Sequence, residues 1–322
     1  MEISNSENGK PNEPALDTKS QLYIVRVNRA IDFILQNLDQ QLNLELIAQA
    51  ADFSPFHFHR IFKTLVGESL NEFTKRLRLE RAIVLLSRTN WKTRQKQSLT
   101  DIALACGFSS SSDFSRCFKQ RFGIPPSHFD VEVFRSQRRE AWQSAVYETE
   151  NRHLLDPLPA ATNPDEFVVQ LVEIPARTAA YIRVTDPYRE GAVSGAAERM
   201  VQWAEKNNLD GEQWLGYMWD DPEVVAHQAC RYDVGVVVPE PFESREVGWF
   251  DFPGMLVAQV EIRGTIDLEM RALDWLFRTW LPSSGFIPSA LPAFEAWTGR
   301  PFELGMERFD LDVQIPIQKF HP

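Results

Sequence analysis

The chain has 322 residues, 43% of them hydrophobic and 25% charged, a balance that suits folded cores and two domains rather than one. No apolar run approaches the roughly 20 residues that span a bilayer, and three cysteines without CxxC spacing, Cys106, Cys117 and Cys230, argue against a disulfide framework or a zinc site and fit a reducing cytoplasm. The net charge of −11 argues against a nucleic-acid partner until it is divided: residues 22–140 carry 18 Lys and Arg against 12 Asp and Glu, residues 141–322 carry 14 against 29.

Residues 1–21 are polar, lack the basic and apolar stretches of a leader, and are expected to form a disordered tail. Helical periodicity follows, and residues 22–140 are expected to form one all-α domain. Its predicted helices are Tyr23–Asn37, a pair at Leu44–Ala51 and Pro55–Leu65, a long helix Leu70–Ser87, a second pair at Thr100–Cys106 and Ser111–Phe122, and a closing helix from near Pro126. Ser54 is placed to cap the helix that Pro55 opens. Gly67 and Gly123 fall where helix ends need a left-handed residue, and Gly107 where a tight turn does.

The two pairs are one motif written twice. Ile47-Ala48, Phe53-Ser54 and Arg60-Ile-Phe-Lys63 recur as Ile102-Ala103, Phe108-Ser109 and Arg116-Cys-Phe-Lys119. Tandem helix-turn-helix units can set two helices in DNA from a single chain, so a DNA-binding regulator is the first expectation. Ile61, Phe62, Cys117 and Phe118 read as core. His57 and His59, two residues apart, do not share a helical face and make a poor metal pair. In the connection 87–98, Arg88, Lys92, Arg94 and Lys96 either touch phosphates or belong to a solvated loop.

Residues 141–165 read as a linker ending in Asp156-Pro-Leu-Pro-Ala-Ala-Thr-Asn-Pro-Asp165. Beyond it, strand-like runs Phe167–Ile174, Thr178–Val184, Tyr232–Val238 and Met255–Ile262 alternate with helical runs Gly191–Asn207 and Leu268–Leu281. Val172-Glu-Ile-Pro-Ala-Arg-Thr-Ala-Ala-Tyr181 can be laid over Phe250-Asp-Phe-Pro-Gly-Met-Leu-Val-Ala-Gln259. Residues 166–322 are therefore expected to be an α+β domain of two pseudo-symmetric strand–strand–helix–strand repeats with antiparallel sheet. Seven of the nine tryptophans follow residue 150. Trp203, Trp275 and Trp280 fall in helices and read as core. Trp214, Trp219, Trp249 and Trp297 lie on or beside strands and are candidate walls of a ligand cavity, with hydroxyls from Tyr181 and Tyr217.

Residues 25–135, and above all Asp101-Ile-Ala-Leu-Ala-Cys-Gly-Phe-Ser-Ser and Phe114-Ser-Arg-Cys-Phe-Lys-Gln-Arg-Phe-Gly-Ile-Pro-Pro126, resemble the AraC/XylS-type DNA-binding domain. Residues 166–318 resemble a GyrI-like effector-binding domain through Asp220-Asp-Pro222, Arg231-Tyr-Asp-Val-Gly235, Pro253-Gly254, Trp280-Leu-Pro-Ser-Ser-Gly285, Pro292-Ala-Phe-Glu295 and Asp312-Val-Gln-Ile-Pro316; the order of the two modules is Rob-like. The resemblance implies base-reading positions at Phe56, His59 and Arg60 in the first unit and at Ser111, Ser112, Ser115 and Arg116 in the second. It implies a pocket carboxylate at Glu295. Lys75-Arg-Leu-Arg78 on the spacer helix faces phosphates or solvent. The family's Gly-Pro-Tyr stands here as Asp186-Pro-Tyr188.

The expected function is a cytoplasmic, sequence-specific transcription regulator, an activator by the resemblance. It would bind double-stranded DNA as a monomer, contact RNA polymerase, and answer to a cationic or aromatic small molecule. No cofactor, metal or membrane enters this reading, and the chain is not expected to be an enzyme. A ligand-independent DNA binder whose second domain serves protein contacts or stability, and a GyrI-like hydrolase, are the alternatives.

Overall fold

A computed structural model of the chain describes residues 18–89, 97–146, 162–305 and 308–319. The first half consists of α1 (Thr18–Gln36), α2 (Leu44–Ala50), α3 (Pro55–Val66), α4 (Leu70–Thr89), α5 (Leu99–Ala105), α6 (Ser111–Phe122) and α7 (Val131–Val146). Short polar residues start the paired helices. The Asn43 side chain accepts from the Leu46 N–H at 2.9 Å, Ser98 and Asp101 form a capping box, and the Ser110 hydroxyl accepts from the Asp113 N–H. Ser54 departs from expectation. It has a cap's extended backbone but makes no side-chain cap bond.

Each unit closes on a phenylalanine ladder, Phe58 and Phe62 in the first and Phe114 and Phe118 in the second, all fully buried. Helix α4 joins the two cores: Leu70, Phe73 and Leu77 pack into the first, and Leu79, Ala82, Ile83 and Leu86 into the second. Gly107 makes their junction possible. It sits at φ +78°, and a Cβ there would lie 2.3 Å from the Leu38 carbonyl oxygen and 2.8 Å from Arg78 Nη2.

Several boundaries move. Helix α1 starts at Thr18, so residues 18–21 belong to it rather than to a tail, and Lys19 Nζ lies over the Tyr23 ring one turn on. Residues 1–17 lie outside those described. Pro126–His128 form a short 3₁₀ turn, and α7 begins only after Asp130, whose carboxylate accepts from the Glu132 and Val133 N–H groups. Helix α7 continues to Val146, past the expected start of the linker, and 147–161 lie outside the described residues. So do 90–96, which carry most of the basic connection.

The second half runs β1 (Gln170–Ile174), β2 (Arg177–Thr185), α8 (Ala192–Lys206), β3 (Trp214–Met218), β4 (Arg231–Val238), β5 (Gly248–Phe252), β6 (Met255–Gly264), α9 (Ile266–Trp275), a π turn, α10 (Leu281–Ser284), β7 (Phe286–Pro288), β8 (Ala293–Trp297) and β9 (Phe309–Lys319). All strand pairs are antiparallel, in the order β1-β6-β9-β8-β3-β4-β2-β5, with β7 beside β9. Exchanging β1, β2, β3 and β4 for β5, β6, β8 and β9 reverses this order onto itself, so the two repeats are related by a pseudo-twofold axis. Each has more strands than expected: β3 lies between α8 and the expected β4, and β7, β8 and β9 all follow α9. The repeats also interlock, since β1 pairs with β6 and β2 with β5. The axis falls between β3 and β8, where Gly216 stands opposite Glu295.

Alternation then sorts the side chains into two faces. Trp214, Val236, Trp297 and Val313 pack under α8 and α9. Tyr181, Tyr217, Phe252 and Phe294 fill the other face, where the sheet curls enough for the Phe252 ring of β5 to lie 4.9 Å from Phe294 of β8.

Candidate functional site

Helices α3 and α6 bury one stripe and leave the other free, and the two stripes superpose with a constant spacing in sequence. Phe58, Arg60, Phe62 and Lys63 correspond to Phe114, Arg116, Phe118 and Lys119. Opposite the buried rings of α3, Phe56 is 77% exposed and His59 and Arg60 are exposed. On α6, Ser112 and Arg116 are exposed and Ser111 and Ser115 half-buried. The two arginines differ. Arg116 is tied to Asp113 one turn back at 2.6 Å in an exposed pair, while Arg60 has no carboxylate partner among the described residues. His57 packs edge-on against Tyr23 and Phe53.

Two of the three basic residues of the α4 cluster, Arg76 and Arg78, are engaged within the fold. Arg76 bonds Glu68 at 2.6 Å and Glu80 at 3.2 Å. Arg78 donates to the Leu38 and Gln40 carbonyls, at 3.0 and 2.6 Å, satisfying the chain where it leaves α1. Lys75 stays half-exposed.

The effector candidates divide between the two faces of the sheet. Under the helices, Glu295 Oε2 accepts from the Tyr232 hydroxyl at 2.5 Å and from Trp297 Nε1 at 3.2 Å. Gly216 provides the room, since a Cβ there would lie 2.0 Å from the Tyr232 oxygen. Glu269 of α9, itself buried, completes the group. Burial pushes its carboxyl well up, as does the neighbouring Glu295, which burial also raises; Glu269 thus keeps its proton and donates to Glu295. Trp214 is buried on this face with Nε1 on the Asp210 carbonyl. Trp249 is half-buried on edge strand β5, opposite Ala180. Trp203 and Trp275 are core, as expected.

Tyr181, Tyr217 and Trp219 lie on the opposite face and do not join Glu295. Period-two alternation turns Tyr217 away from Trp214 on the same strand. This face meets the first half. The Tyr181 hydroxyl donates to Asp32 of α1, and Arg183 joins Asp233, at 2.8 and 2.7 Å, to Asp32 at 2.8 Å. Trp219 Nε1 donates to Asp233 at 2.7 Å. Burial raises the Asp32 carboxyl against the pull of Arg183.

A second junction comes from the β3–β4 connection. Asp220 and Arg231 close its base through paired bonds of 2.8 and 2.6 Å. Its Val224, Val225 and Cys230 complete the core of the second helix-turn-helix unit. Glu223 gathers Arg135 and Arg139 of α7 and Arg278, at 3.0, 2.7 and 2.9 Å, and Arg135 also reaches Asp221 at 2.7 Å. Asp186, where a glycine is usual, takes the left-handed φ of +55° that glycine would adopt. Tyr188 packs beside the same core.

Comparison with known proteins finds a helix-turn-helix domain at residues 47–130 and a GyrI-like small molecule binding domain at residues 167–318. The regulatory protein SoxS of Salmonella typhimurium is 30% identical over 103 residues, which is 32% of this chain and 91% of that protein. The DNA gyrase inhibitor of Edwardsiella piscicida is 29% identical over 158 residues, 47% of this chain and 98% of the relative. An uncharacterized HTH-type transcriptional regulator of Bacillus subtilis, YbfP, is 33% identical over 122 residues, and the match spans 37% of this chain and 39% of that protein.

Proposed function

Because this chain belongs to the AraC-type DNA-binding transcription regulators and carries a GyrI-like domain, we propose that a cationic, aromatic small molecule bound at Glu295 controls how its two reading helices engage DNA. One chain sets α3 and α6 into successive major grooves about 34 Å apart. Phe56, His59 and Arg60 read bases from one, and Ser111, Ser112, Ser115 and Arg116 from the other. Activation through contact with RNA polymerase is part of this reading.

The observation that carries it is the carboxyl pair at the pseudo-twofold axis. A carboxylate walled by Trp297, Trp214 and Tyr232 attracts a cation by charge and by ring quadrupoles together. Its neighbours also lead toward the DNA-reading half. Tyr232 is the second residue of β4, next to Arg231 at the base of the β3–β4 connection, and that connection is the segment docked on the second helix-turn-helix unit. A ligand that displaces the Tyr232 hydroxyl from Glu295 therefore pulls on that connection directly.

The test combines DNA and ligand. Arg60→Ala and Arg116→Ala each weaken operator binding by about 1–3 kcal/mol and relax one base preference. Tetraphenylphosphonium added to the full chain changes operator affinity and quenches tryptophan emission, and Glu295→Gln removes both effects. Unaltered footprints in the arginine variants exclude the reading helices assigned. A response to the cation that survives Glu295→Gln excludes the effector site.

A further inference from the structure

The face of the sheet away from Glu295 holds an arginine with an empty fork. Arg177, on β2, lays its guanidinium 4.8 Å from the centre of the Phe294 ring. Its Nε and Nη2 are shut off from solvent and meet no acceptor among the described residues. Those two nitrogens form the edge that takes a carboxylate with two parallel bonds. The same edge is filled at four other arginines of this domain: Arg183 by Asp233, Arg231 by Asp220, Arg271 by Asp165 and Arg308 by Asp310. Beside Arg177 stands a second unmet donor. The Tyr217 hydroxyl is buried without a partner among the described residues, and its ring lies 5.6 Å from the same Phe294. Burial pulls the Arg177 guanidinium down to about 10, so it is still a cation at neutral pH, and burial keeps the Tyr217 phenol protonated.

Buried donors without acceptors are costly, and more so when one is charged. We propose that Arg177 and Tyr217 form a second ligand site, for an aromatic carboxylate, with the carboxylate on the Nε/Nη2 fork and the ring among Phe252, Phe294 and Trp219. The site is independent of the Glu295 reading. It has the opposite charge preference and lies on the face that bonds α1 through Asp32.

Benzoate, with benzamidine as its cationic counterpart of the same shape, tests this by titration calorimetry on the full chain. Benzoate binds once per chain and weakens about ten- to hundredfold in Arg177→Met. Its affinity is unchanged in Glu295→Gln. Arg177→Lys keeps the charge without the fork and also weakens benzoate, which covers the case in which the methionine variant fails to fold. Benzoate that does not saturate, or that binds both Arg177 variants as tightly as the parent chain, overturns the proposal. Failure of the Glu295 reading alone leaves the benzoate result untouched, because Glu295→Gln does not enter this site.

Discussion

Glu269 of α9 and Glu295 of β8 approach each other under the helices, and their linked titration would tie binding of the proposed ligand to pH. Burial raises both carboxyls in the folded chain, while in the unfolded chain they titrate near 4.5. The folded state thus binds more protons above that value, and the contribution to stability is full at low pH and declines as pH rises through the raised range. Uptake of the proposed cation is expected to run the other way, because it would select the ionised pair and strengthen with pH. Glu269→Gln flattens both dependences, as read by urea midpoints and cation titrations at pH 5 and pH 8. A pair whose midpoints shift with pH equally in the parent and in Glu269→Gln does not share a proton. Glu295 was legible through Pro292-Ala-Phe-Glu295, whereas Glu269 was not. Inside Ile266-Asp-Leu-Glu-Met-Arg271 it looks like one more solvated charge on an amphipathic helix, and only the packing of α9 against β6 and β9 takes it out of water.

At the scale of elements, the helices were readable and the central strands were not. Helix α6 follows from its apolar spacing, its Ser110 cap and Gly123. Strands β3 and β8 are five residues long and covered on both faces, which erases the alternation by which a strand is recognised. The β3–β4 connection was hidden for a similar reason, since Val224 and Val225 read as loop until the second helix-turn-helix core is found to lack a wall without them. Glu223 holds three arginines there, and replacing it leaves them clustered without their common carboxylate. Glu223→Gln is expected to weaken docking of the connection by about 1–3 kcal/mol. Amide hydrogen exchange over 219–230 then quickens, and the cation's effect on operator affinity shrinks while its binding persists. Exchange at the parent rate means that the apolar contacts alone hold the segment, and the coupling route through Glu223 is wrong.

At the scale of the whole molecule, the acidic half grips each reading unit separately. The first is held through Asp32 on α1, the second through the β3–β4 connection, and α4 spans the two between them. The spacing of α3 and α6 is therefore fixed by the sheet as well as by α4. Asp32 gave no warning of this role. On an amphipathic helix an aspartate reads as a surface charge, and its partners Tyr181 and Arg183 lie about 150 positions away. Breaking a buried charge group by removing one sign is costly, and Arg183→Met leaves Asp32 and Asp233 facing each other in a site where the arginine side chain is only 2% exposed. The expected loss is about 3–5 kcal/mol, with calorimetric unfolding splitting into two transitions as the halves part. Asp32→Asn keeps an acceptor for Tyr181 and leaves Arg183 with Asp233, so it costs less and melts as one. A single unfolding transition in Arg183→Met at the parent temperature places the grip elsewhere. If the transition does split, operator affinity in that variant loses its response to the cation even though α3, α6 and Glu295 are all intact.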